Sequence, residues 1–297
     1  PSIITALIPY SDDLLIVGCE RGVYRITGDP MAGGQIDLIT DITGMAFGRA
    51  WTKDEHGVIY FFGSSGGVFA MSPDGSMDRL SQARSERVSD IERLLLGVDL
   101  TLYRAELRWN DYDNALHVFF IPWGAVTAQV SHYVWERKTN GWAEDTFGAT
   151  TLQPTAVMVT EDADPGSRKL LIASNGYVRK WDQTAFDDDG TAIYSTALIG
   201  PLQPRDPIWE ARYSGLGVNL ASDQNGANFE LYVSDSPDVL NEPVAQGQLK
   251  AGRNPIIRDG GRGARAWLRL YSNQAARRWA FESATLGVEG GGKRRER

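Results

Sequence analysis

The chain of 297 residues contains one cysteine, Cys19, and three histidines. A lone thiol cannot close an intramolecular disulfide, so packing and hydrogen bonds must hold the fold. His56, His117 and His132 are scattered, with no second His or Cys at ligand spacing, which excludes a recognisable zinc pattern. No apolar run approaches the ~20 residues of a membrane helix. The opening PSIITALIPYSDD has neither a basic region nor a cleavage site of a secretory leader. It lacks an initiator Met, and Ser2 to Ile8 already reads as a strand in need of a neighbour, so the chain is expected to be a piece of a longer polypeptide. Helical periodicity is scarce too. Only Ser85 to Leu96, with Val88, Ile91, Leu94 and Leu95 on one face and Gly97 as a stop, reads as a helix.

What is abundant is turn chemistry and aromatics: 32 glycines, 9 tryptophans, 11 tyrosines and 10 phenylalanines. Together with short β-rich runs this composition predicts an all-β protein with many turns. The stretch His56 to Gly75 holds an apolar run (Val58 to Phe62), a small polar gap (Gly63 to Gly67), a second run (Val68 to Met71) and a Pro-Asp-Gly turn. That is a β-hairpin signal. It recurs at Asp13 to Asp29, at Asn114 to Gly141 with a longer gap, and at Arg168 to Asp182 in compressed form. Val23, Val68, Val134 and Val178 mark the second strand of each copy. Two of the three intervals lie near the roughly 45 residues of a propeller blade, and the third is stretched by the helical insertion. Upstream strand candidates at Ile3 to Ile8, Ala46 to Thr52, Tyr103 to Trp109 and Thr155 to Thr160, with a further short run after each hairpin, complete four antiparallel strands per unit. The expected architecture is therefore β-propeller-like blades over residues 1–200, with a C-terminal β-sheet module over 201–297. The boundary is placed at the proline-rich Gly200 to Pro207.

Charge is unevenly distributed. The chain carries a net −8, yet its end is basic. Arg258, Arg262, Arg265, Arg269, Arg277, Arg278, Lys293, Arg294, Arg295 and Arg297 outnumber the acids there and form a candidate interface for an acidic neighbour.

Short motifs that suggest chemistry fail on context. Gly63-Ser64-Ser65-Gly66-Gly67 matches G-x-S-x-G, but a strand pattern follows where a nucleophile elbow needs a helix. Asp187-Asp188-Asp189-Gly190 fails as a calcium loop, because Ala185 and Thr196 fall at the first and twelfth ligand positions. Gly290-Gly291-Gly292-Lys293 lacks the first glycine and the Ser/Thr of a phosphate loop and reads as a flexible basic tail. Among the tryptophans, Trp51, Trp109, Trp123, Trp135, Trp142 and Trp181 lie in or beside the blades, where core packing outweighs sugar stacking. No cofactor or metal is expected, and the chain is expected not to be an enzyme.

The run Leu14 to Gly18, then Arg21 to Pro30 with Gly33-Gly34, resembles the propeller domain of tail nozzle proteins (tail tubular protein B) of short-tailed bacteriophages. Gly57 to Gly75 is similar to that family's next blade. Arg262 to Arg265, Trp279 to Glu282 and Gly291 to Arg295 resemble its ending. Family members are usually longer, with a substantial region before the propeller. The resemblance implies a structural virion protein that assembles with itself into a ring, typically of six, and contacts the tail adaptor and distal tail proteins. DNA passes through the channel during ejection; an acidic lining would keep it from adsorbing. The alternative is a carbohydrate-binding or hydrolytic propeller, with Asp111, Asp113, Glu161 and Asp164 as acid/base candidates. A WD-repeat scaffold is disfavoured, since Trp181-Asp182 is a single occurrence.

Overall fold

A computed structural model describes the whole chain except residues 1, 73, 83–89, 126–128, 161, 183, 186, 204–208, 223–224, 236–241, 258–259, 275–277 and 294–297. The protein is all-β. Propeller-like blades are followed by a C-terminal β-sheet module, in two compact units, Pro1–Gln183 and Thr184–Arg297.

Each blade is an antiparallel meander. Blade one comprises β1 (Ile4–Ser11), β2 (Leu14–Cys19), β3 (Val23–Thr27) and β4 (Gln35–Thr40). Blade two comprises β5 (Trp51–Lys53), β6 (Ile59–Phe62), β7 (Val68–Met71) and β8 (Met77–Arg79). Blade three comprises β9 (Tyr103–Asn110), β10 (Ala115–Pro122), β11 (His132–Glu136) and β12 (Gly141–Asp145). A three-stranded fourth blade comprises β13 (Ala156–Val159), β14 (Leu170–Ser174) and β15 (Tyr177–Lys180). The Gly-Asp-Pro after β3 makes a local stop: Asp29 Oδ1 accepts from Met31 N at 2.8 Å and caps a 3-10 turn that Pro30 opens.

Blades stack face on face because each carries apolar residues at strand period on both sides. Between blades one and two, Ile8, Ile16 and Val23 meet Ile59, Phe61, Phe69 and Met71. Tyr60 and Phe62 on the opposite face of blade two meet Leu107, Trp109, Leu116 and Phe120 of blade three. Phe119 and Ile121 then meet Val157, Leu170 and Ile172 of blade four.

The helical expectation is met over α1 (Asp90–Leu96), while residues 85–89 lie outside the described part. Leu95 is fully buried in the core between blades two and three. The helix rests on the Gly63–Gly67 turn, where a Cβ at Gly66 would stand 3.0 Å from Leu96 Cα. Gly66 and Gly67 are left-handed (φ 90° and 84°) and strand β7 leads out, so the G-x-S-x-G match is a hairpin connection.

In the second unit, β16 (Asp187–Asp188) and β17 (Thr191–Ala192) flank Asp189-Gly190, both at positive φ. Gly190 N donates to Asp187 Oδ1 at 2.7 Å, which is hairpin-turn chemistry in place of an ion loop. One sheet runs β18 (Ser195–Leu202), β24 (Arg265–Ser272), β20 (Ala227–Ser234), β21 (Ala245–Leu249). The other centres on β19 (Trp209–Leu220), which pairs with β22 (Gly252–Ile257), β23 (Arg262–Gly263) and β25 (Phe281–Lys293). Leu216, Val218 and Leu220 of one sheet bury against Phe229, Leu231, Leu268 and Leu270 of the other. The Gly200-Pro201 bond lies inside β18, within the second unit. One expectation is corrected: Gly290 to Lys293 is not a loose tail but the end of β25, with Gly290 opposite Ala211 and Lys293 opposite Trp209.

Candidate functional site

The first strands of blades two to four lie side by side and are tied across the blades. Leu107 N donates to Arg49 O at 3.1 Å, and Trp109 N to Thr52 Oγ1 at 3.2 Å. Arg104 Nη2 donates to Thr155 O at 2.7 Å, and Arg108 reaches Val157 O through Nε at 3.1 Å and Nη2 at 2.9 Å. Burial lowers the Arg108 guanidinium from its ordinary value, and Glu106 beside it opposes that shift. Beside these strands opens an inner cleft of about 950 Å³, lined by Trp51, Lys53, Asp54, Glu55, Trp109, Asp111, Met158, Asp162 and Arg168 among others.

Its best-organised wall is a buried aromatic and charged stack. Trp109 lies flat on Tyr60 with centroids 5.1 Å apart and planes 7° off parallel. The Arg137 guanidinium stands 4.7 Å from the Trp109 ring centroid. Asp54, whose side chain is fully buried, accepts from His56 N at 2.9 Å, Val58 N at 2.8 Å and Tyr60 Oη at 3.1 Å, and pairs with Arg137. Burial, with Asp54 adding to it, pushes the Tyr60 phenol up to about 12. Asp111 accepts from Trp109 Nε1 at 3.0 Å and from Arg168 Nη1 at 2.7 Å. With Trp109 nearly covered and the Asp54 side chain fully buried, this stack stiffens the wall, and the groups open to the cleft are those of Lys53 and Arg168, a lining suited to a polar ligand.

The acid/base candidates read from the sequence separate in space. Asp111 lines this cleft, Asp113 lines a smaller one between blades three and four, and Asp164 is an exposed turn residue accepting from Gly166 N at 3.0 Å. Glu161 lies outside the described residues. Sequence reasoning missed Trp51, Lys53 and Asp54 as neighbours of Asp111. Asp54-Glu55-His56-Gly57 signalled only a turn, and the cross-blade register that brings them together has no local signature.

Two of the basic residues of the second unit are paired with carboxylates. Arg262 Nε pairs with Glu210 at 2.9 Å and Arg269 Nη1 with Glu230 at 3.1 Å. Hydrogen bonding to Tyr232 contributes most to raising the Arg269 guanidinium above its ordinary value. Arg265 is half-buried and Arg278 exposed. Lys293 ends β25, while Arg258, Arg277, Arg294, Arg295 and Arg297 lie outside the described residues.

No protein-family model matches the chain, and no curated protein does. Solved structures do. The extracellular domain of a putative one-component system from B. thetaiotaomicron is 13% identical with a TM-score of 0.37 over 97% of this chain; the match spans only 34% of that structure's length. A glycoside hydrolase is 10% identical with a TM-score of 0.31, over 91% of this chain and 81% of its own. An exo-β-1,3-galactanase from Phanerochaete chrysosporium is 9% identical with a TM-score of 0.27, over 92% and 78%. At these scores none of them assigns a substrate or partner to this chain. The expectation that the chain is not an enzyme is corrected here: the similar structures include a glycoside hydrolase and an exo-β-1,3-galactanase.

Proposed function

We propose that the chain is an assembly unit of a bacteriophage tail, similar to the propeller part of tail nozzle proteins. Copies stack side by side around a conduit for DNA, in contact with the tail adaptor and distal tail proteins. The observation that carries this reading is the outward face of blade one. Its register builds two complete apolar cross-strand rows, Leu7–Val17–Tyr24–Leu38 and Pro9–Leu15–Ile26–Ile36. Yet Leu7, Ile36 and Leu38 are 57%, 64% and 53% exposed. On the opposite face of the same blade Ala6, Ile8, Ile16 and Val23 are buried against blade two, while the Arg25–Asp37 ion pair occupies its far edge. Val17 at the centre of the outward face is buried and Leu15, Tyr24 and Ile26 are half-buried, so the open apolar surface lies along the two outer strands, where it marks an interaction site.

Blade four presents a matching outward face, with rows Ala156–Ala173–Val178 and Met158–Leu171–Lys180. Met158 and Val178 are 49% and 68% exposed. The occupant of the blade-one face is therefore taken to be blade four of a neighbouring copy, continuing the blade-on-blade packing already used three times within the chain. A head-to-tail contact of this kind closes into a ring when its rotation allows.

Light scattering with negative-stain imaging tests the proposal. The wild type is expected to form a ring of about six copies, and Leu7→Glu with Leu38→Glu, both on exposed positions, is expected to leave folded monomers. A wild type that stays monomeric at every concentration sinks the self-assembly reading, and so does a double variant that still forms rings.

A second reading, a carbohydrate-binding or hydrolytic propeller, is favoured by the inner cleft, where Trp51 and Trp109 stand beside Asp54, Asp111 and Asp162. Trp51→Ala is expected to weaken oligosaccharide binding at least ten-fold, since an aromatic contact and its buried area contribute about 1.5–3 kcal/mol. A glycan array and a reducing-end assay on the wild type and this variant read both branches; an array and an assay that are both blank end this reading.

A further inference from the structure

We propose that the small cleft between blades three and four is a separate binding site for the adjacent hydroxyls of a sugar or polyol. The site is independent of the tail reading and does not use the tryptophans of the inner cleft. It occupies about 150 Å³ and is lined by Asn110, Tyr112, Asp113, Lys180 and Trp181, with Arg168 as the wall it shares with the inner cleft. If each water takes roughly 30 Å³ of liquid volume, this is room for about five waters or one small polyol.

Two buried polar atoms carry the argument. The Asp113 side chain is 4% exposed, and its Oδ2 is occupied by Asn110 Nδ2 at 2.7 Å and His117 Nε2 at 3.3 Å. Its Oδ1 is buried without a hydrogen-bond partner among the described residues, and so is Nε1 of Trp181. Both residues line the same cleft, one as an acceptor and the other as a donor.

His117 fixes the two relative to each other. Its ring hydrogen-bonds Asp113 and packs edge-on against the Trp181 ring, with centroids 5.1 Å apart and planes 74° apart. Trp181 N donates to Leu170 O at 2.8 Å, which anchors its backbone to β14. A buried donor or acceptor left unmatched is costly, so an acceptor and a donor held in the lining of one cleft select a ligand able to match both. A hydroxyl is donor and acceptor at once, and a diol supplies one donated hydrogen to Asp113 Oδ1 and one oxygen to Trp181 Nε1. The alternatives fit less well. An anion would meet the Asp113 carboxylate, and an ammonium group would meet the indole N–H and the Lys180 and Arg168 cations. No group of three metal-ligating side chains stands together among the described residues.

The test uses the purified chain with D-galactose, D-glucose and glycerol as probes, read by saturation-transfer NMR and tryptophan fluorescence. Binding by the wild type is expected, with a loss of about ten-fold in Trp181→Phe, which keeps the ring and deletes one hydrogen bond. Asp113→Asn, checked for folding by near-ultraviolet circular dichroism, is expected to weaken binding as well. The inner-cleft variant Trp51→Ala is expected to leave this binding intact, which separates the two sites. Absence of transfer from all three probes overturns the proposal, as does binding that Trp181→Phe leaves unchanged. A Trp181→Phe protein that gains stability without any probe binding to the wild type also overturns it, because the cleft then holds water only.

Discussion

Trp109→Ala is expected to destabilise the first unit by about 3–5 kcal/mol, the range for deleting a large aromatic from a core. The side chain is 4% exposed at the interface of blades two and three. Its removal ends the stack on Tyr60 and the cation–π contact with Arg137, and strips Asp111 of the indole hydrogen bond. The damage extends to Asp54, because Arg137, which pairs with that fully buried carboxylate, loses the ring that supports it. Trp109→Phe restores a ring at the same place and separates packing from the hydrogen bond, so its loss is expected to be smaller by more than half. Urea unfolding followed by circular dichroism measures both. A Trp109→Ala loss below about 0.5 kcal/mol, the size of an ordinary surface change, contradicts the packing account of blades two and three.

Acid is expected to weaken the same unit through His132. The imidazole is buried between blades three and four; Nδ1 accepts from Phe120 N at 3.1 Å and Nε2 faces Gln153 Oε1 at 3.1 Å. Since a backbone N–H can only donate, Nδ1 must be the unprotonated nitrogen. Protonation puts a second N–H against the Phe120 donor and a charge into a desolvated site. Burial accordingly pushes the group down from 6.5 to about 4, with the Gln153 hydrogen bond opposing in part. With the folded-state value depressed, the unfolded chain binds the extra proton between pH 6.5 and pH 4. Stability is therefore full above pH 6.5, falls through that window by roughly 3 kcal/mol, and levels off below pH 4 as far as this group is concerned. Urea midpoints at a series of pH values in the wild type and in His132→Gln check this. A variant that loses as much stability as the wild type across the window assigns the acid sensitivity to other groups.

The two histidines show where reading a sequence stops. Both fall within expected strands, and the sequence left open whether either side chain packs or faces solvent. What each does was not legible there either. His132 bonds across a hairpin to a backbone N–H and to Gln153, 21 residues away, while His117 braces Asp113 against a tryptophan from the next blade. The same holds for the acid/base candidates: Asp111 and Asp113 are two residues apart yet line different clefts.

The sequence by itself determined the all-β class and the repeated hairpins, because strand period, turn glycines and Asn/Asp caps act over a few residues and leave their mark locally. It also determined the failure of the G-x-S-x-G and calcium-loop matches, since each motif needs a specific neighbour in the chain. The tertiary structure decided what depends on register between blades. It placed Trp51 beside Asp111, closed Asp54 onto Arg137, 83 residues away, and drew Gly290 to Lys293 into an ordered strand against β19. It also decided which apolar face is covered and which is open. The face of blade one that is covered carries Arg25 and Asp37, and the one that stays open is the more apolar in sequence; alternation could not say which would be covered, because burial belongs to the pair of surfaces and not to either strand.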